Sequence, residues 1–214
     1  MYSTIFFDLD GTLTDSEEGI TKSVQYGLKK MGVTDCDDLS ALRHFIGPPL
    51  SESFKEFFEG EDIKRAIVFY RERYSTIGWK ENRLYDGIKD MLKKIKESGR
   101  KIYMATSKPE IFAKDIAELF EISEYFDGIC GATTDGVRNT KEDVVKYAIE
   151  VCGETNPDNI LMVGDRHHDV DGAGEFGIKT LGVTYGFGTR EELLGCGAIA
   201  VVDTPDEVVK FITK

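Results

Sequence analysis

Thr4-Ile5-Phe6-Phe7-Asp8-Leu9-Asp10-Gly11-Thr12 is a short apolar run that stops at two acids and a glycine. Branched and aromatic side chains in series predict a strand ending at Asp8. Asp8 and Asp10 lie two residues apart, and carboxylates so close are hard to keep ionised without a cation. A hard divalent ion with oxygen ligands resolves that conflict, and Mg²⁺ is the common choice at phosphate sites. Gly11 lets the backbone turn sharply beside a ligand. Taken alone, the stretch could equally be an acidic turn after an edge strand, so its meaning depends on the rest of the chain.

Further strand patterns lie downstream. Lys101 to Ala105 ends at Thr106, and Asn159 to Val163 is followed by Gly164 and Asp165. Phe126 to Cys130, Thr180 to Thr184 and Ala198 to Val202 complete the series. Amphipathic helices are expected between them: Ile88, Met91, Leu92 and Ile95 share one face, as do Phe112, Ile116, Leu119 and Phe120, and Val144, Val145, Ala148, Ile149 and Cys152. Thr204, Pro205 and Glu207 form a helix-start signal of the capping-box kind, and Thr189 with Glu192 repeats it. Strand and helix in alternation predict an α/β fold with a parallel sheet covered by helices. Residues 15–83 break the alternation. They carry helical patterns, such as Ile20, Val24 and Leu28, but no convincing strand. The expected organisation is a discontinuous core, 1–14 and 84–214, with a helical subdomain, 15–83, inserted after the first strand.

Composition narrows the function. The 214 residues carry a net charge of −12, which repels nucleic acid and anionic membranes. An anionic substrate would therefore need a local cation. Cys36, Cys130, Cys152 and Cys196 are scattered, with no CxxC pair, and read as reduced thiols. The start, MYSTIFFDLD, lacks the basic and long apolar stretches of a signal peptide, so the expected location is cytoplasmic. No membrane partner is expected, and a monomer is the default.

Three strand patterns end in Asp8, Thr106 and Asp165. Ligands of open parallel sheets bind at the carboxyl ends of the strands, so these residues are expected to converge. Thr106 and Ser107 are read as opening a helix with Pro109 in its first turn, where hydroxyl and amide groups can hold phosphate oxygens, although Ser and Thr before a helix are usually just caps. Lys141 follows Thr140 at another helix start, where its charge opposes the helix dipole, a cost that suggests a purpose such as neutralising a phosphate, although taken alone it reads as an ordinary surface lysine. Asp165 is a direct metal ligand candidate, and Asp169 a direct or water-mediated one. Arg166, His167 and His168 are expected at the rim. Carboxylate neighbours and the wrong spacing argue against a zinc site there.

Together these residues resemble the haloacid dehalogenase superfamily in its phosphatase branch. The matching motifs are Asp8-Leu9-Asp10-Gly11-Thr12-Leu13 with Asp15-Ser16, then Thr106-Ser107-Lys108-Pro109, Lys141, and Gly164-Asp165-Arg166-His167-His168-Asp169. They stand in the family's order and span essentially the whole chain. The resemblance implies a three-layer, Rossmann-like core, and 15–83 is similar to the family's α-helical cap. Phe45 to Leu50, Gly182 to Gly188 and Arg138 are similar to phosphoglycolate phosphatases and bacterial 5′-nucleotidase-like proteins. It implies hydrolysis of a small phosphorylated metabolite, with Asp8 as nucleophile and Asp10 as acid and base. Thr106 and Lys141 would hold the phosphoryl group, with Gly11, Thr12, Ser107 and Lys108 binding substrate. Mg²⁺ would be held by Asp8, the Asp10 carbonyl and Asp165, with Asp169 in support.

Rival chemistries fit less well. A dehalogenase lacks the second aspartate of the first motif, which is present here as Asp10. A phosphonatase would need a cap lysine placed for Schiff-base chemistry, and nothing in the sequence places Lys22 or Lys55. A sugar phosphomutase would be expected to carry a histidine soon after the first motif, and Ser16 to Lys22 has none. A regulatory protein that binds or stores a phosphoryl group would not need Asp10 or the helical block.

Overall fold

The computed structural model describes residues 2–214. The chain divides into two compact units, Met1–Thr14 with Leu84–Lys214, and Asp15–Arg83. Among the described residues, no helix is long and apolar enough to cross a membrane.

The first unit contains β1 (Thr4–Phe7), and the chain passes into the second through β2 (Thr14–Asp15). The second unit holds α1 (Glu17–Lys30), α2 (Leu50–Ser53) and α3 (Glu61–Tyr74), and β3 (Arg83–Leu84) leads back. Next come α4 (Ile88–Glu97), β4 (Lys101–Pro109), α5 (Glu110–Leu119), β5 (Gly128–Ala132), α6 (Lys141–Cys152), β6 (Ile160–Gly164), α7 (His167–Gly174), β7 (Lys179–Val183), α8 (Arg190–Gly195), β8 (Ala200–Val202) and α9 (Pro205–Thr213).

The main sheet runs β5-β4-β1-β6-β7-β8. Its ladders are parallel, with Thr4 opposite Lys101 on one side and Ile160 on the other. β1 is thus central and wholly buried, which explains its unbroken apolar run. Side chains alternate across the sheet. Phe6, Tyr103, Ala105, Cys130 and Met162 meet Val144, Val145, Ala148 of α6 and Ala173 of α7 on one face, and Cys152 packs against this cluster, as the sequence predicts. On α4 the predicted face, Ile88, Met91, Leu92 and Ile95, is buried throughout, and α4 packs against β4 and α9. This is the α/β, Rossmann-like architecture expected.

Two local expectations change. β4 does not stop at Thr106: it continues to Pro109, with a register shift between those residues, and α5 starts at Glu110. The residue before a proline disfavours helical backbone, which keeps Lys108 extended, and Pro109 sits outside the helix at φ −53, ψ 130. On α5 the buried residues are Ala113, Ile116 and Ala117, whereas Leu119 is exposed. The buried stripe is thus centred on Ala113, Ile116 and Ala117, and Leu119 falls outside it.

In the unit 15–83, α1 buries Ile20, Val24 and Leu28 as predicted, and α3 buries Ala66, Tyr70 and Tyr74. The two helices cross closely because Gly27 faces the Ala66 carbonyl. Phe45 and Phe54 pack edge to face, with ring centroids 5.0 Å apart. Arg73 and Glu81 form a two-point pair at 2.7 and 2.9 Å.

Candidate active site

The sheet brings the predicted polar residues to one edge. Asp8 lies just past β1, and its amide donates to the Val163 carbonyl at 3.0 Å, extending the ladder by one residue. Thr106 lies on the neighbouring strand β4, and Asp165 follows β6 on the other side. All three are buried.

Lys141 enters from the first turn of α6. A capping box formed by Thr140 and Asp143 fixes that turn. Its Nζ donates to Asp8 Oδ1 at 2.6 Å and to the Ala105 carbonyl at 3.0 Å, and lies 2.7 Å from Asp169 Oδ1. Lys141 thus places a buried cation beside the carboxylates of both Asp8 and Asp169.

Asp165 is held from two sides. Its Oδ2 accepts from the Phe187 amide at 2.7 Å, and its Oδ1 lies 3.4 Å from the Thr12 hydroxyl. Asp169 Oδ2 accepts from the Arg166 amide at 3.1 Å. Two glycines make this close packing feasible. Gly11 adopts φ +83, and a Cβ there would overlap the Asp165 carboxylate. A Cβ at Gly186 would overlap the Gly11 carbonyl oxygen.

The predicted substrate-binding residues divide. Lys108 is buried, and its Nζ lies 2.8 Å from Asp10 Oδ2. Thr12 is wholly buried and directed at Asp165. Ser107 is half-buried beside Thr106. The Thr106 hydroxyl accepts from the Lys108 amide at 3.2 Å, so the β4 bulge organises Thr106 and Lys108 together. Asp10 Oδ1 is buried and has no hydrogen-bond partner among the described residues. The Phe187 amide and the Lys108–Asp10 pair escape sequence reasoning. The glycines flanking Phe187 are the available signal for the first.

Ligand atoms of Asp8, Asp165 and Asp169 all lie within 4.8 Å of one another. Burial pushes the Asp8 carboxyl up to about 6; Lys141 opposes this, and Asp169 and Asp10 add to it. Burial, then Asp169 and Asp8, holds Asp165 well above the usual carboxylate range, against the Phe187 amide. Three buried carboxylates around one ammonium leave an excess of negative charge that a hard divalent cation would satisfy. The donor set fits Mg²⁺, and no histidine belongs to it.

That charge balance has a pH signature. With Asp8 raised from 3.8 to about 6, the folded protein binds more protons than the unfolded chain in that window. Stability of the metal-free protein should then fall as pH rises through it. Mg²⁺ should raise the melting temperature more at pH 7.5 than at pH 5, as measured by differential scanning fluorimetry with and without chelator. An equal shift at both pH values would show that the ion does not depend on these carboxylates.

The comparisons with known proteins agree with this geometry. The family described as Haloacid dehalogenase-like hydrolase matches residues 5–183. The chain is 43% identical to a Pseudomonas aeruginosa protein named 5′-nucleotidase over 90% of its own length and 87% of that protein. It is also 43% identical to a Mycobacterium tuberculosis protein named Tyrosine-protein kinase PtkA, over 87% of this chain but 64% of that protein. A crystal structure of a predicted phosphatase from Clostridium acetobutylicum superposes with a TM-score of 0.95 at 47% identity, covering 99% of this chain and 98% of that one. A buried acidic centre at the carboxyl edge of a parallel sheet, a family match across most of the chain and a near-superposable neighbour make this chain a member of the haloacid dehalogenase-like hydrolase family.

Proposed function

We propose that the protein is a Mg²⁺-dependent phosphatase of small phosphate monoesters, with Asp8 as covalent nucleophile. The observation that carries the reading is Lys141 held between Asp8 and Asp169, with Asp165 alongside and Asp10 two residues on. Bound among Asp8, Asp165 and Asp169, Mg²⁺ would supply electrostatic stabilisation of phosphoryl oxygens.

An Asp8 carboxylate oxygen attacks phosphorus and forms a P–O bond while the ester P–O bond breaks. Asp10 gives a proton to the leaving oxygen. Its buried Oδ1 has no hydrogen-bond partner among the described residues, and Lys108 engages the other oxygen. Asp10 then takes a proton from water as the water attacks phosphorus, releasing phosphate and restoring Asp8. Thr106 and Lys141 hold the phosphoryl oxygens. The unit 15–83 is read as a cap domain, a reading supported by its place in the chain between the first two motifs. The protein acts in the cytoplasm as a monomer, on a small phosphorylated metabolite and not on nucleic acid or membranes.

The relative named 5′-nucleotidase puts nucleoside monophosphates first among candidate substrates. The relative named as a tyrosine-protein kinase supports a second reading, transfer of the phosphoryl group to tyrosine. The test is phosphate release from nucleoside monophosphates, phosphoglycolate and sugar phosphates, with Mg²⁺ and with chelator. A parallel arm uses a tyrosine peptide with labelled ATP. Mg²⁺-dependent release from a monoester supports the phosphatase. No release, with label appearing on the peptide, would replace it with the second reading.

A further inference from the structure

The Thr189-to-Glu192 signal at the start of α8 behaves differently from the chain's other caps. In α6 the Asp143 carboxylate accepts from the Thr140 amide at 3.2 Å, closing the capping box on its own helix. In α9 the Glu207 carboxylate accepts from the Asp203 amide at 2.8 Å, next to its own cap residue. In α8 the first half of the cap forms, with Thr189 Oγ1 accepting from the Glu192 amide at 3.1 Å. The Glu192 carboxylate turns away, toward the segment between Asp165 and Asp169.

There a single oxygen, Glu192 Oε1, accepts from the His167 amide at 3.0 Å and from Arg166 Nε at 3.0 Å, and meets His167 Nδ1 at 2.8 Å. Arg166 and His167 connect Asp165 to the helix that presents Asp169. Opposite them, the Arg166 amide is engaged by Asp169 itself. Burial opposes ionisation of Glu192, but the His167 amide and ring and Arg166 outweigh it and draw the carboxyl down to about 2. It is therefore a fixed anion at working pH. Phe187 lies in the connection from β7 to α8 and Glu192 in the first turn of α8, so adjoining segments hold Asp165 and His167.

We infer that Glu192 is a positioning residue for metal binding: its carboxylate fixes the Arg166–His167 turn and thereby the separation of Asp165 and Asp169. The inference rests on the Mg²⁺-phosphatase reading above. Groups that orient metal ligands typically change metal affinity by about 10- to 100-fold when removed.

Glu192→Asp keeps the charge but is one methylene too short to hold all three contacts. Glu192→Gln loses the charge but keeps an acceptor oxygen at the same reach. Thr189→Ala removes the cap alone. Mg²⁺ affinity is to be measured by isothermal titration calorimetry on the substrate-free protein, alongside kcat and the Mg²⁺ concentration giving half-maximal rate. The expected result is a Kd for Mg²⁺ weakened about 10- to 100-fold in Glu192→Asp, with kcat at saturating Mg²⁺ within about threefold of wild type. Glu192→Gln should bind within about threefold of wild type, because geometry and not charge is what it preserves. Thr189→Ala should melt earlier with unchanged Mg²⁺ affinity. Unaltered Mg²⁺ affinity in Glu192→Asp, or equal weakening in Gln and Asp, would overturn the positioning role. Wild-type protein that binds no Mg²⁺ would instead sink the metal-dependent reading on which it rests.

Discussion

Asp8→Asn should reduce phosphate release by about 10⁴-fold or more, since in the mechanism proposed above the residue supplies the attacking oxygen. The same change should not destabilise the metal-free fold at pH 7.5. Asp8 is buried, its carboxyl is pushed up to about 6, and at neutral pH it is an ionised group held at a cost. An amide of the same shape removes that cost, and Lys141 keeps Asp169 and the Ala105 carbonyl as partners. The expected pair of results is thus lost turnover with a melting temperature equal to or above that of wild type in chelator. Steady-state rates and thermal melts on the same sample check both. Wild-type turnover in Asp8→Asn would remove Asp8 from the chemistry. A melting temperature many degrees lower would show that its role in the fold outweighs the burial cost.

Lys141→Met should act in the opposite direction on stability. The substitution keeps an unbranched chain of similar length in a site where Lys141 is about as buried as Asp8. It leaves Asp8, Asp165 and Asp169 together with no cation among them. Removing one partner of a buried ion pair costs about 3–5 kcal/mol. Turnover should fall by about 10²- to 10³-fold, the usual loss when one oxyanion-stabilising donor is removed. The variant should also depend more on Mg²⁺ for folding than wild type does. Its melting temperature in chelator should drop steeply, with a larger recovery on adding Mg²⁺. Equal Mg²⁺ shifts in the two proteins would show that Lys141 does not offset the acidic cluster.

Asp8, Thr106 and Asp165 are legible in the sequence because each closes an apolar run. They can be placed together because parallel strands all end at the same edge. The α4 face is legible because every apolar residue on it is needed against the sheet. Lys141 is ambiguous in sequence, since its meeting with Asp8 depends on the crossover from β5 through α6 to β6. Lys108 reads as a substrate contact because its pairing with Asp10 depends on a bulge that no periodicity reveals. Leu119 fits a helical face in sequence, but the buried stripe of α5 runs through Ala113, Ile116 and Ala117 instead. Glu192 shows the limit most clearly. Thr-x-x-Glu reads as a cap in both α8 and α9, and only the neighbouring loop decides where the carboxylate goes.

The central position of β1 has a consequence for how the chain is made. Thr4 needs Lys101 on one side and Ile160 on the other before its ladder is complete. During synthesis, Ile5, Phe6 and Phe7 leave the ribosome long before either neighbour exists. The block 15–83 finds its packing partners within itself and can order first, while the emerging N-terminal strand stays unpaired and apolar. Asp8, just past the end of that strand, acquires its surroundings only once β6 and Asp165 have emerged. The newborn chain should therefore be most exposed to aggregation and to chaperone capture in the interval between the emergence of β1 and that of β6.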